Sequence, residues 1–167
     1  MKKGIFSEVK SYTPTSFQDF RGELYTTWAP EEFSSAFGME LDFVRDKTSV
    51  SRYNVLRGIH GDSKSWKYMA CVYGEIYYVI VDCRSESPTY KKWDWEILSD
   101  KNRQMLLIPP GFGSSCYVMS ETAVVNYKWA YPGKYPDVED QFTVKWNDPE
   151  IGVHWPTTNP ILSERDA

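Results

Sequence analysis

Histidine is the scarcest residue able to move protons here: the chain has two, His60 and His154. His60 sits in VLRGIHGD (55–62), between Arg57 and Asp62, at the end of a strand-like run. An imidazole titrates near neutral pH, so it can take a proton from an activated carbon and return it. The competing reading is a histidine on a surface turn, and local spacing alone does not choose between the two. His154, in GVHWP, reads as structural. Arg57 and Lys67 flank His60 and could clamp phosphates, or be solvated charge. Tyr127, in VVNYKW, could donate a proton or simply pack in a core. Asp166, the penultimate residue, reads by position as part of a frayed acidic tail.

Metal chemistry fails on inventory. His60 and Asp62, two apart, would share one strand face. A catalytic metal site needs about three protein ligands, commonly histidines. With two histidines in the chain, no metal is expected. The glycines of IPPGFG (108–113) match neither GxGxxG nor GK[ST], so that segment reads as a turn rather than a phosphate loop.

The elements that must position these residues are mostly strands. KYMACVYGEIYYVIVDCR (67–84) predicts two strands broken around Tyr73–Gly74. QMLLIPPGFGSSCYVMS (104–120) predicts a strand, a Pro-Pro-Gly turn and another strand, and 121–131 a further one. SFQDFRGELYTTW (16–28) reads as a turn followed by a strand. APEEFSSAFG (29–38) is the best helix candidate, with Pro30 near its start and Gly38 at its end. From Asp137 onward the chain is rich in Pro and Asp, and is expected to wrap the rest as turns. This pattern predicts an all-β sandwich or barrel, not a βαβ fold.

Composition narrows the partners. The 167 residues suit one domain spanning 1–167. A net charge of −4 argues against a nucleic-acid binder, which needs a basic face. Aromatics make up 16% of the chain, and such rings line pockets for flat ligands. Lys2 and Lys3 precede no apolar run, so neither a signal peptide nor a membrane span is expected. Cys71, Cys83 and Cys116 are odd in number and lack CxxC spacing, which suggests reduced thiols and a cytoplasmic location.

Taken together, the segments resemble the dTDP-4-dehydrorhamnose 3,5-epimerase family. The likeness runs in order through FQDFRGEL (17–24), VLRGIH (55–60), GEIYYVIVDCRSESPTY (74–90), LIPPGFG (107–113), NYKWAY (126–131), WNDPEIGVHWP (146–156) and PILSERDA (160–167). The resemblance implies a cupin-type jelly roll, usually a homodimer, working without metal or other cofactor on a nucleotide-diphospho-4-keto sugar. It implies His60 as catalytic base, Asp166 as its partner, Tyr127 as proton donor and Lys67 as the catalytic-pocket lysine. Arg57 would contact the pyrophosphate, and Arg21 would reach a neighbouring subunit's site. If Tyr127 only packs in the core, the acid is to be sought in Tyr131, Tyr135 or a bound water.

Some positions depart from the family pattern. Ser114 stands where many members carry a second histidine, and Arg45 and Lys47 where glutamine and asparagine are common. These three are further expected substrate contacts. The GDSKSW link to the lysine is short, and RGIHGD…K…CVYGEI resembles a branch acting on GDP-linked keto-heptoses. The nucleotide, dTDP or GDP, therefore stays open, as do hexose or heptose and inversion at C3, C5 or both. A 3,4-ketoisomerase and a non-catalytic sugar-nucleotide binder are the alternatives.

Overall fold

In the computed structural model, which describes residues 4–167, two five-stranded sheets face each other. Lys2 and Lys3 lie outside the described residues. The first sheet runs in the order β1 (Lys10–Tyr12), β9 (Met105–Ile108), β6 (Trp66–Tyr73), β11 (Thr122–Ala130), β4 (Arg45–Arg52). The second runs β12 (Phe142–Thr143), β5 (Leu56–Gly61), β10 (Phe112–Val118), β7 (Glu75–Asp82), β8 (Trp93–Ser99). Neighbouring strands in both sheets are antiparallel. The architecture is an all-β jelly-roll sandwich of cupin type.

Between the sheets, Met69 and Cys71 of β6 and Val125 of β11 meet Ile76, Tyr78 and Ile80 of β7 and Phe112 of β10. The outer faces are covered as well. Helix α1 (Pro30–Phe37) lays Phe33 and Phe37 on Tyr68, Ala70, Met105 and Leu107 of the first sheet. Burying each such ring is worth about 1.5–3 kcal/mol. On the second sheet, Trp146, Ile151, Val153 and Trp155 from the C-terminal stretch cover Tyr77, Val79 and Val81. Because β7 is covered on both faces, its sequence is a continuous apolar run rather than an alternating one.

Local chemistry sets the ends of these elements. Helix α1 opens on Pro30 with Glu31 and Glu32 in its first turn, and closes on Gly38 at φ 67°. Residues 16–28 differ from expectation: they form a hairpin of β2 (Ser16–Asp19) and β3 (Gly22–Tyr25). The Asp19 carboxylate accepts the Arg21 N–H at 2.8 Å and Gly22 adopts φ 129°, which together close a tight turn. The C-terminal stretch does wrap as turns, and it is sewn to the second sheet. Ile161 N–H donates to Asn54 O at 2.7 Å, and Leu56 N–H donates to Ile161 O at 3.0 Å. Among the described residues, no helix is long and apolar enough to cross a membrane.

One irregularity bears on the site. Along β10, Cys116 faces Arg57 and Ser114 faces His60, so two steps on β10 match three on β5. This is a β-bulge, with Gly58 at φ 93°. Without the extra residue, Arg57 and His60 would point to opposite faces; with it, both line the same cavity. A Cβ on Gly58 would lie 2.8 Å from Ser114 O. Gly58→Ala is therefore expected to lower stability by more than about 1 kcal/mol, read as a drop in the midpoint of urea unfolding. An unchanged midpoint would mean that the bulge is not needed.

Candidate functional site

A cavity of about 470 Å³ opens between the sheets. From the second sheet, β5 brings Arg57 and His60, and β10 brings Ser114. From the first, β6 brings Lys67, β4 brings Lys47, and β11 brings Tyr127 and Trp129. Ser163, Arg165 and Asp166 close one side from the C-terminal stretch.

Asp166 is 7% exposed and is no frayed tail. Its Oδ1 lies 2.6 Å from His60 Nε2. Its Oδ2 accepts Ser163 Oγ–H at 2.9 Å and Gly58 N–H at 3.3 Å. Burial works to raise its pKa, but His60, Ser163 and Gly58 together hold it below the ordinary value of 3.8. With an ionised carboxylate accepting at Nε2, that nitrogen carries the hydrogen and Nδ1 keeps the lone pair.

Lys67 is 6% exposed. Burial pushes its pKa down to about 8, with Arg165 adding to the fall and Asp62 and Cys83 opposing it. Its Nζ donates to the His60 carbonyl at 3.1 Å and lies 5.0 Å from the centre of the Trp129 ring. Tyr127 is half-buried, and burial raises its phenol pKa against the opposing charges of Lys47 and Arg57. It therefore stays protonated at neutral pH. Arg57 Nε donates to Ser51 Oγ at 2.9 Å, which fixes its stem on the cavity wall. Lys47 contacts the Tyr135 hydroxyl.

Other expected residues lie elsewhere. Arg45 is exposed and is not part of the cavity lining, its guanidinium 4.0 Å from the centre of the Tyr135 ring and its Nε 3.4 Å from Tyr131 Oη. Arg21 is on the β2–β3 hairpin, outside the cavity, with its side chain 77% exposed and paired to Asp19. His154 is exposed and packs edge-on against Trp93. Asp62 does not share the cavity face with His60. It caps the β5–β6 turn, where Oδ1 accepts Lys64 N–H at 2.9 Å and Ser65 N–H at 2.7 Å. Among the described residues, no three His, Cys, Asp or Glu side chains are grouped to hold a metal ion.

Some lining residues carry no expectation from sequence. Trp129 was findable, since it lies two residues past Tyr127 on the same strand face. Ser163 and Arg165 precede Asp166 in SERD, but only the wrapping of the C-terminal stretch brings them to the cavity. Tyr78, wholly buried, lies beside Ser114, and nothing in its apolar strand sets it apart from a core residue.

A jelly roll with an imidazole–carboxylate pair on one wall and a phenol on the other is built for proton transfer, the chemistry of an isomerase. The model of the dTDP-4-dehydrorhamnose 3,5-epimerase family matches residues 4–167, and the chain belongs to that family. It is 36% identical to the dTDP-4-dehydrorhamnose 3,5-epimerase of Salmonella typhimurium, over 99% of this chain and 91% of that one. The dTDP-4-dehydrorhamnose 3,5-epimerase of Bacillus anthracis, solved with TDP and PPi, superimposes with a TM-score of 0.90 at 33% identity, covering 99% of this chain and 94% of that one. A dTDP-6-deoxy-D-glucose-3,5-epimerase of Legionella pneumophila, solved with dTDP-4-keto-L-rhamnose, gives 0.89 at 32% identity, covering 98% and 87%.

The Asp166 environment has a signature in stability. Its carboxyl titrates below 3.8 when folded and near 3.8 when unfolded, so its contribution is complete above that range. The contribution is lost as pH falls through the lower, folded value. Urea unfolding between pH 7 and pH 3 is expected to show a steeper acid loss for the wild type than for Asp166→Asn. Equal acid slopes would contradict the assigned environment.

Proposed function

We propose that the protein is a nucleotide-diphospho-4-keto-sugar epimerase that inverts C3, C5 or both by removing a proton beside the C4 ketone and replacing it from the opposite face. One observation carries this reading. His60 stands on β5 of one sheet and Tyr127 on β11 of the other, so an imidazole and a phenol enter the cavity from opposing walls. A ketone acidifies the hydrogens on the carbons beside it, because the carbanion delocalises into an enolate. Removing one needs a base of moderate pKa held against the carbon.

In this reading, His60 Nδ1 takes the proton while Asp166 holds the opposite nitrogen and stabilises the imidazolium. Lys67 has spent one of its three hydrogens on the His60 carbonyl and gives another to the enolate oxygen. Tyr127 then protonates the far face of the carbon. Arg57 and Lys47 bind the diphosphate, Ser114 contacts the sugar, and Arg45 supports the nucleotide end from behind Tyr135. The ligands of the Bacillus and Legionella enzymes support a dTDP-linked substrate. Ser114 and Lys47 in the cavity wall, with Arg45 against Tyr135, mark where the site would admit a GDP-linked sugar instead.

The working unit in this proposal is a homodimer. Phe17, Phe20 and Leu24 on the β2–β3 hairpin are 72%, 97% and 74% exposed, an apolar face suited to a second copy. Arg21, at the tip of that hairpin, would serve the partner's cavity. Light scattering is expected to give a dimer, and Phe20→Glu to shift it toward monomer with loss of turnover; an active wild-type monomer would rule the arrangement out.

The chemistry is tested by two variants in deuterated water. His60→Asn should stop both deuterium uptake and inversion. Tyr127→Phe keeps the ring and removes the hydroxyl, so His60 can still exchange a proton on its own face. Uptake into the substrate should persist while inversion falls about 10²–10⁴-fold. Inversion at a near-normal rate in Tyr127→Phe would place the acid elsewhere, with Tyr135 as the next candidate.

A further inference from the structure

Asp62 is buried at 3% exposure, and the reaction as described does not use it. Its turn-capping role occupies only one oxygen. Oδ1 accepts the Lys64 and Ser65 N–H groups, while Oδ2 is equally buried and has no hydrogen-bond partner. A turn of this kind is closed as well by asparagine or serine, neither of which brings a charge inside. A buried carboxylate oxygen without a hydrogen bond is costly unless a cation compensates it. A buried cation lies beside this turn: Lys67, at the start of the next strand, whose Nζ donates to the carbonyl of His60, two residues before Asp62, and whose charged form Asp62 favours against burial.

We propose that Asp62 is the positioning residue for the charge on Lys67: the bare oxygen at the β5–β6 turn supplies the negative field that keeps the buried ammonium protonated at the cavity wall.

The other groups around Lys67 make this field necessary. The His60 carbonyl takes one hydrogen from Nζ, with the His60 ring farther along the same residue. The Trp129 ring covers Nζ from β11, with Lys47 on that ring as well, 5.2 Å from its centre. Arg165, from the C-terminal stretch, disfavours the charged lysine. Cys83, just after β7, is a thiol whose pKa is itself raised by burial, so it adds no anion at neutral pH. Asp166 is already engaged by His60, Ser163 and Gly58. Burial and Arg165 therefore push Lys67 toward the neutral amine, and Asp62 is the carboxylate that opposes them. A neutral Lys67 could still accept a proton but would no longer offset enolate charge. The functional importance of this pairing rests on the proposed role of Lys67 in the reaction. The pairing itself does not.

The experiment separates the two. The full-length protein, labelled with carbon-13 at lysine Cε, is titrated by NMR, and the Lys67 signal is assigned by its loss in Lys67→Met. The wild-type midpoint is expected at about 8. In Asp62→Asn it should fall, and the alkaline limb of the kcat/KM profile should move down with it. Asp62→Ser, which can close the same turn through its hydroxyl, should behave alike and serves if Asp62→Asn folds poorly. A midpoint that stays in place in a folded variant overturns the proposal and leaves Asp62 as a turn cap. A midpoint that falls while the alkaline limb stays fixed upholds the pairing and refutes the role given to Lys67 in the reaction.

Discussion

The hydrogen bond between His60 Nε2 and Asp166 Oδ1 joins residues 106 apart in sequence, and it is made only if the whole C-terminal stretch is in place. That stretch has little regular structure of its own. It is held by Trp146, Ile151, Val153 and Trp155 packing on the outer face of the second sheet, and by backbone bonds from Asn54 and Leu56 to Ile161. The apolar outer face of β5, β7 and β10 is thus a requirement of the site as well as of the fold. It draws the chain past β5 and delivers a carboxylate to a histidine on the inner face. The bulge at Gly58 completes the arrangement from the other side, since its N–H donates to the same carboxylate while its extra residue turns Arg57 and His60 into one cavity.

The electrostatics of the cavity run against those of the chain. The sequence carries a net charge of −4, yet Lys47, Arg57, Lys67 and Arg165 all line this one cavity, against the single carboxylate of Asp166. A concave site with low-dielectric walls concentrates such a field, and a diphosphate is a ligand of matching sign. The aromatic rings do double service. Trp129 and Tyr135 form part of the wall, and both lie under the Lys47 ammonium, at 5.2 and 4.5 Å from their centres. Those contacts hold a flexible lysine in place without neutralising it.

Much of this was legible in the sequence, for identifiable reasons. Helix α1 carried both of its end signals, and the breaks at Gly74 and at Pro109–Gly111 were marked by residues that regular strands avoid. β4 was hard to read because, as an edge strand with polar inward residues such as Lys47 and Ser49, it lacks the apolar alternation of a core strand. The β2–β3 hairpin depended on a side-chain cap from Asp19, which spacing alone does not reveal. For the site, the motif resemblance pointed to His60, Asp166, Tyr127 and Lys67, and the fold brings all four to one cavity. It did not reveal the bulge that orients Arg57, nor that Asp62 turns away from His60. Both depend on backbone geometry at a glycine and at a turn, where side-chain periodicity stops applying.

The central claim is that inversion proceeds through loss of a carbon-bound proton to the protein and its replacement on the opposite face. The most direct measurement is the isotopic content of product formed by the wild-type enzyme from a dTDP-linked, and separately a GDP-linked, 4-keto sugar in deuterated water. Each inverted carbon is expected to carry one solvent deuterium, with none at the carbons whose configuration is retained outside C3 and C5. Inverted product that retains its original hydrogen at the inverted carbon would contradict the account.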